Sequence, residues 1–216
     1  TMKYMTAREE DILTNQNLIA NGTVIDKLIE SLIVTPIDYN DLLVGDKNAI
    51  LIAARILGYG KDYEFNYNGE EISVDLTSIE DKPLDESLIK EGKNEFNFTL
   101  PTSKKEVTFK FLSHKDEKAI DAELKGLKKL NKNASAEVST RLKHLITSVN
   151  SDYEKSTIRE FVDTQLLAID SRALRKYIQE VQPDTNLTFK YEVKNGDFID
   201  IDIPVNLNFF WPDAQV

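Results

Sequence analysis

The chain has 216 residues, of which 41% are hydrophobic and 30% charged, with a formal net charge of −10. That balance is globular rather than disordered and suffices for one substantial domain or two small ones. It has no cysteine and only two histidines, His114 and His144, which excludes disulfides, thiol nucleophiles and sulfur-ligated zinc and leaves no basis for a histidine-rich metal site.

Thr6-Ala-Arg-Glu9 reads as a capping box that opens a short helix running to about Thr14. From Thr23 to Val34, Val24, Ile25, Leu28, Ile29, Leu32 and Ile33 recur at helical spacing, and Pro36 closes the segment. Asp46 is positioned to cap a third helix that is apolar nearly all round: Ala49, Ile50, Leu51, Ile52, Ala53, Ala54, Ile56 and Leu57, interrupted by the charge of Arg55. Such a helix is buried on several sides or laid against a partner. Gly58 and Gly60 are suitable stops.

Strand material follows. Asp62–Leu76 alternates around Asn68-Gly69, two residues that tolerate the positive φ of a type I′ hairpin turn. After a loop containing Pro83, Glu95–Leu100 and Val107–Leu112 read as strands joined across 101–105. Four apolar stripes then predict four helices. The first is capped by Ser113; the second runs from about Ser135 to Asn150, after a polar loop at Asn131–Asn133; the third and fourth are capped by Ser156 and Asp170. The chain closes with a second hairpin around Asn195-Gly196, also read as type I′, and an aromatic exit, Phe209-Phe210-Trp211, before Pro212.

These elements predict an α+β fold: a small antiparallel β-hairpin sheet with N-terminal helices and a four-helix insert between the β-parts. The expected divisions are N-terminal helices over 1–60, a first β-part over 61–112, a helical bundle over 113–186, and a closing hairpin over 187–216 that pairs back to the first β-part, since a two-stranded hairpin is marginal alone. Charge follows the same division. Ser113–Val181 holds 13 basic and 11 acidic residues, while the remainder holds 14 and 26. An acidic β-rich part beside a near-neutral helical part argues against nucleic acid, which needs a concentrated basic face. No run approaches the ~18 apolar residues of a membrane span, and TMKYMTAREED lacks the apolar core of a secretory signal.

Nothing in the chain spells out chemistry. Asp197, Asp200 and Asp202 match no calcium loop, and Asp200 and Asp202 share the solvated face opposite Ile199, Ile201 and Ile203. Lys125, Lys128, Lys129 and Lys132 read as a solvated helix edge, and no GxxxxGK, GxGxxG or GxSxG motif occurs. Catalytic, cofactor and metal residues are therefore expected to be absent. The candidate contacts are Phe209, Phe210 and Trp211, with Arg55, Ile56 and Leu57 on the apolar helix. Adjacent aromatics in a strand point to opposite faces, so burying all three needs a core on both sides or a partner on one.

GDKNAILIAARILGYGKDYEF (45–65), DSRALRKYI (170–178) with Pro183-Asp184 after it, and VNLNFFWP (205–212) together resemble the baseplate hub subunit or hub assembly chaperone family of T-even-type contractile-tailed phages. The likeness runs from about Asn15 to Pro212. It implies a non-enzymatic role in building the central hub of the tail baseplate in the host cytoplasm. Implied partners are other hub proteins and the tape-measure protein, with neither nucleic acid nor membrane, and the oligomeric state is left open. Some members carry CxxC pairs at the hairpin turns. Here those turns are Asn68-Gly69 and Asn195-Gly196, so no zinc is carried over. A different reading, prompted by the net charge, is an acidic regulatory protein that occupies a basic site on a host factor.

Overall fold

The computed structural model describes residues 1–210 except 84, 89–91, 131–135 and 194–195. The Asn131–Asn133 loop, Ser135, Asn195, Trp211 and Pro212 therefore lie outside the described residues. Helices and small antiparallel sheets together make an α+β fold. The chain divides into two compact units: the first comprises Thr1–Tyr39, Gly45–Lys82 and Pro183–Val216, the second Asn40–Val44 and Pro83–Gln182. The division falls within the stretch read as one β-part. The first unit holds 9 basic and 20 acidic residues, net −11; the second holds 18 and 17, net +1.

In the acidic unit, the capping box at Thr6 forms as the sequence predicts. The Thr6 backbone N–H and hydroxyl both donate to Glu9 Oε2, at 2.9 and 2.7 Å, at the start of α1 (Ala7–Leu13). Glu9 is fully buried and also accepts from Lys3 Nζ and Ser31 Oγ. Burial would raise its pKa, but these hydrogen bonds outweigh burial and hold the carboxyl well below its ordinary range. Asn15 caps a short α2 (Gln16–Ala20) that the apolar pattern did not reveal. Next comes α3 (Val24–Leu32), which buries Val24, Leu28, Ile29 and Leu32, the predicted stripe. Helix α4 (Val44–Tyr59) starts two residues before the expected cap and stops at Gly60, whose φ of 87° only glycine adopts cheaply. Near its start, a Cβ on Gly45 would sit 2.2 Å from the Pro183 carbonyl oxygen, so a side chain is excluded there.

Strands β1 (Asp62–Tyr67) and β2 (Glu70–Asp75) pair antiparallel through the predicted two-residue turn. Asn68 and Gly69 both have positive φ, 51° and 84°, as type I′ requires. The closing hairpin, β6 (Thr188–Glu192) and β7 (Phe198–Asp202), is built differently. The hairpin closes with the Val193 N–H donating to the Asp197 carbonyl, Gly196 having φ 86°. It also forms its own two-stranded sheet instead of extending β1–β2. Side chains replace strand pairing: Phe65 meets Phe189 edge-on at 6.1 Å, and Tyr63 donates its hydroxyl to the Pro204 carbonyl.

The second unit is built around one three-stranded antiparallel sheet, β3 (Phe96–Thr99), β4 (Glu106–Phe109) and β5 (Ile146–Val149), with four helices: α5 (His114–Leu130), α6 (Glu137–Leu145), α7 (Lys155–Glu160) and α8 (Ala168–Val181). Strand β5 corrects the second predicted bundle helix. Leu142, Leu145, Ile146 and Val149 fall at helical spacing, yet the helix ends at Leu145 and Ile146–Val149 runs extended against β4. Three of the four residues of β5 are β-branched, and pairing with Val107–Phe109 satisfies backbone groups that periodicity alone cannot assign. The insert is therefore not a bare helical bundle. Its core combines Phe96, Phe109 and Phe111 from the sheet region with Leu142, Phe161, Leu174 and Ile178 from the helices.

The predicted cap at Ser113 forms: its N–H and hydroxyl both donate to Asp116 Oδ2. The expected caps at Ser156 and Asp170 do not. Helix α7 starts at Lys155, and α8 starts at Ala168 with Asp170 inside its first turn. Between them the chain makes one π-helical turn, with the Leu166 N–H bonded to the Phe161 carbonyl.

Candidate functional site

The six residues singled out from sequence separate in the structure. Phe209 and Phe210 are both 0% exposed. They lie in a 3-10 turn, Leu207–Phe210, not in a strand, so the rule that adjacent residues face opposite ways no longer applies. Phe209 packs edge-on against Tyr63 at 4.8 Å and against Phe210 at 5.1 Å. These rings belong to the core of the first unit and are not available as contacts. Trp211 lies outside the described residues.

Arg55 is also internal, at 2% exposure. Its guanidinium donates from Nη1 to the Gly60 carbonyl at 2.8 Å and from Nη2 to the Asp62 carbonyl at 3.1 Å, and it sits over the rings of Tyr59 and Tyr63. It thereby satisfies carbonyls at the end of α4 and joins that helix to β1. Burial lowers its pKa. On the same helix Ile56 is half-buried, and only Leu57, at 37%, keeps substantial exposure.

The surface that remains open is in the other unit. Helix α8 turns Ser171, Leu174 and Ile178 inward. Arg172, Arg175, Lys176 and Gln179, at i, i+3, i+4 and i+7, line a cleft of about 620 Å³ on another side. Its apolar walls are Val44, Leu112, Leu145 and Ile178, and Glu117 and Arg141 complete the polar lining with Gln182. Four cations thus face one carboxylate. Arg141 is matched: it grips Glu117 through both terminal nitrogens at 2.8 Å each, and that hydrogen bonding raises its pKa. Lys176 has an exposed i+4 contact with Glu180 at 3.6 Å. The Arg172 and Arg175 side chains have no hydrogen bond or ion pair among the described residues.

A second cleft of about 290 Å³ in the same unit carries Lys110, Lys143, His144, Lys155 and Arg159. Its polar side chains are mostly matched internally: Lys110 pairs with Asp116 at 2.7 Å, Lys143 with Asp163 at 2.7 Å and Arg159 with Glu123 at 4.0 Å, and His144 Nε2 hydrogen-bonds Glu123 at 3.1 Å. The α8 cleft is therefore the stronger candidate for an outside ligand.

Asp170 anchors α8. Fully buried, it accepts the backbone N–H groups of Thr102 and Ser103, at 2.8 and 2.9 Å, from the turn between β3 and β4. Burial opposes its charge, but these bonds prevail and lower its pKa. The carboxylate fixes the start of the helix that displays the arginines. Among the described residues, no group of three or more His, Asp or Glu side chains is placed to hold a metal, and no helix is long and apolar enough to cross a membrane.

The apolar spacing of Leu174, Tyr177, Ile178 and Val181 marks α8 in the sequence. Its cationic companion was equally legible, because Arg172, Arg175 and Lys176 share the i, i+3, i+4 spacing. Comparison with known proteins adds no relative: no family model matches the chain. No curated protein matches it either, and no solved structure does.

Proposed function

We propose that this chain is a non-enzymatic tail protein of a contractile-tailed phage that helps assemble the baseplate hub by binding other hub proteins and the tape-measure protein. It acts in the host cytoplasm during assembly. One observation carries the reading. The 170–178 segment, part of the resemblance to hub assembly proteins, forms a helix with one face in the core, while Arg172 and Arg175 line an open cleft without partners among the described residues. Charged side chains left unmatched beside apolar walls suit partner recognition better than fold stability.

Affinity capture of the tagged chain from phage-infected cells, with mass spectrometry of what co-purifies, tests this. Enrichment of hub and tape-measure proteins is the expected result. Recovery of host enzymes alone would overturn it and favour the acidic-regulator reading, for which the net −11 of the first unit is the supporting observation.

A further inference from the structure

We propose that the α8 cleft is a receptor for an acidic–apolar segment of a protein partner, with partner carboxylates on Arg172 and Arg175 and an apolar side chain against the half-buried Val44 and Leu145. This assignment rests on the reading of the chain as a partner-binding protein and supplies the chemistry of what it binds.

Arg172 and Arg175 are three residues apart on one helix, so their Cβ atoms lie roughly 5–6 Å apart. That matches carboxylates at alternate positions of an extended segment, about 6.6 Å apart, or four apart on a helix. Each guanidinium offers a planar fork that a carboxylate accepts bidentately. Arg141 is already held by Glu117, so it supplies a fixed edge rather than a free charge. The cleft volume of about 620 Å³ is that of a site for a short segment, not for a folded domain.

Other anions fit less well. A small free phosphate would leave the half-buried Val44 and Leu145 in contact with water, with nothing gained from the apolar wall. A nucleic acid would meet a chain of net charge −10, and a cleft containing Glu117 rather than a continuous basic stripe. A segment that mixes carboxylates with aliphatic side chains satisfies both halves of the lining.

The test uses the full chain and a fluorescently labelled peptide of alternating Glu and Leu, with binding read by anisotropy at low and at physiological ionic strength. Saturable binding that weakens with salt is expected. The double variant Arg172→Glu, Arg175→Glu should lose at least about tenfold in affinity, since each charge-assisted pair is worth about 1.5–3 kcal/mol. A second variant, Lys128→Glu with Lys129→Glu, makes the same change in net charge on exposed α5 residues outside the cleft lining. It should retain affinity within about threefold, the residue of an unpaired, screened surface charge.

Absence of saturable binding overturns the proposal, as does equal loss in the two variants. Displacement of the peptide by oligothymidylate at lower concentration than by unlabelled peptide would assign the cleft to phosphate polyanions instead. Peptide binding lost while hub proteins are still captured removes the cleft assignment alone. The opposite pattern removes the assembly reading and leaves the receptor standing.

Discussion

The two units treat their conspicuous residues in opposite ways. In the first, the aromatic exit and the lone arginine of an apolar helix are used up internally: Phe209 and Phe210 are core, and Arg55 closes carbonyls between α4 and β1. In the second, an ordinary amphipathic helix buries Leu174 and Ile178 and leaves two arginines unmatched among the described residues. A feature that stands out in sequence because it is apolar is often one the core needs. What is left for partners emerges only after every internal hydrogen bond and ion pair is accounted for.

The largest effect should come from the aromatic turn. Phe209→Ala removes a fully buried ring and should cost about 3–5 kcal/mol of stability in denaturant unfolding. A variant as stable as the parent would place that ring at a surface and erase the contrast. Next comes Arg55→Lys, which replaces a guanidinium that donates to two carbonyls with a single ammonium. A loss of about 1–3 kcal/mol is expected, measured in the same way.

Acid unfolding sharpens the comparison further, because each unit holds a buried carboxylate with lowered pKa: Glu9 in the first, Asp170 in the second. A depressed folded pKa means that stability is fully present above the unfolded values, about 4 for these residues, and is lost as pH falls through the folded ones. Circular dichroism should therefore show stability falling below about pH 4. Glu9→Gln and Asp170→Asn should each be less stable at neutral pH and show a shallower decline in acid. A decline as steep as the parent's in both variants would mean that other groups govern it. The smallest stability effect belongs to Arg172→Glu with Arg175→Glu, within about 0.5 kcal/mol per site, since neither arginine side chain has a partner to lose among the described residues.

Much of the fold could be read where local chemistry decides it. The Thr6 and Ser113 boxes, the α3 stripe and the Asn68-Gly69 turn all formed as their residues predict. Prediction failed where non-local pairing decided. Ile146–Val149 satisfies a helical period but pairs with β4, and β6–β7 forms a separate sheet instead of joining β1–β2. Phe209 and Phe210 were judged by strand geometry although their backbone turns. Of the candidate site, Arg172, Arg175 and Lys176 are visible in RALRK, but that Arg172 and Arg175 stay unmatched among the described residues depends on the non-local pairing of Glu117 with Arg141.

The most direct measurement pairs two readouts on two variants: melting temperature and affinity for the Glu–Leu peptide, for Phe209→Ala and for Arg172→Glu with Arg175→Glu, with binding measured well below both transitions. The separation of core from contact predicts that the first variant loses melting temperature and keeps affinity, while the second keeps melting temperature and loses affinity. If Phe209→Ala kept the parent's melting temperature but lost the peptide, the aromatic turn would be the contact and the cationic cleft would not.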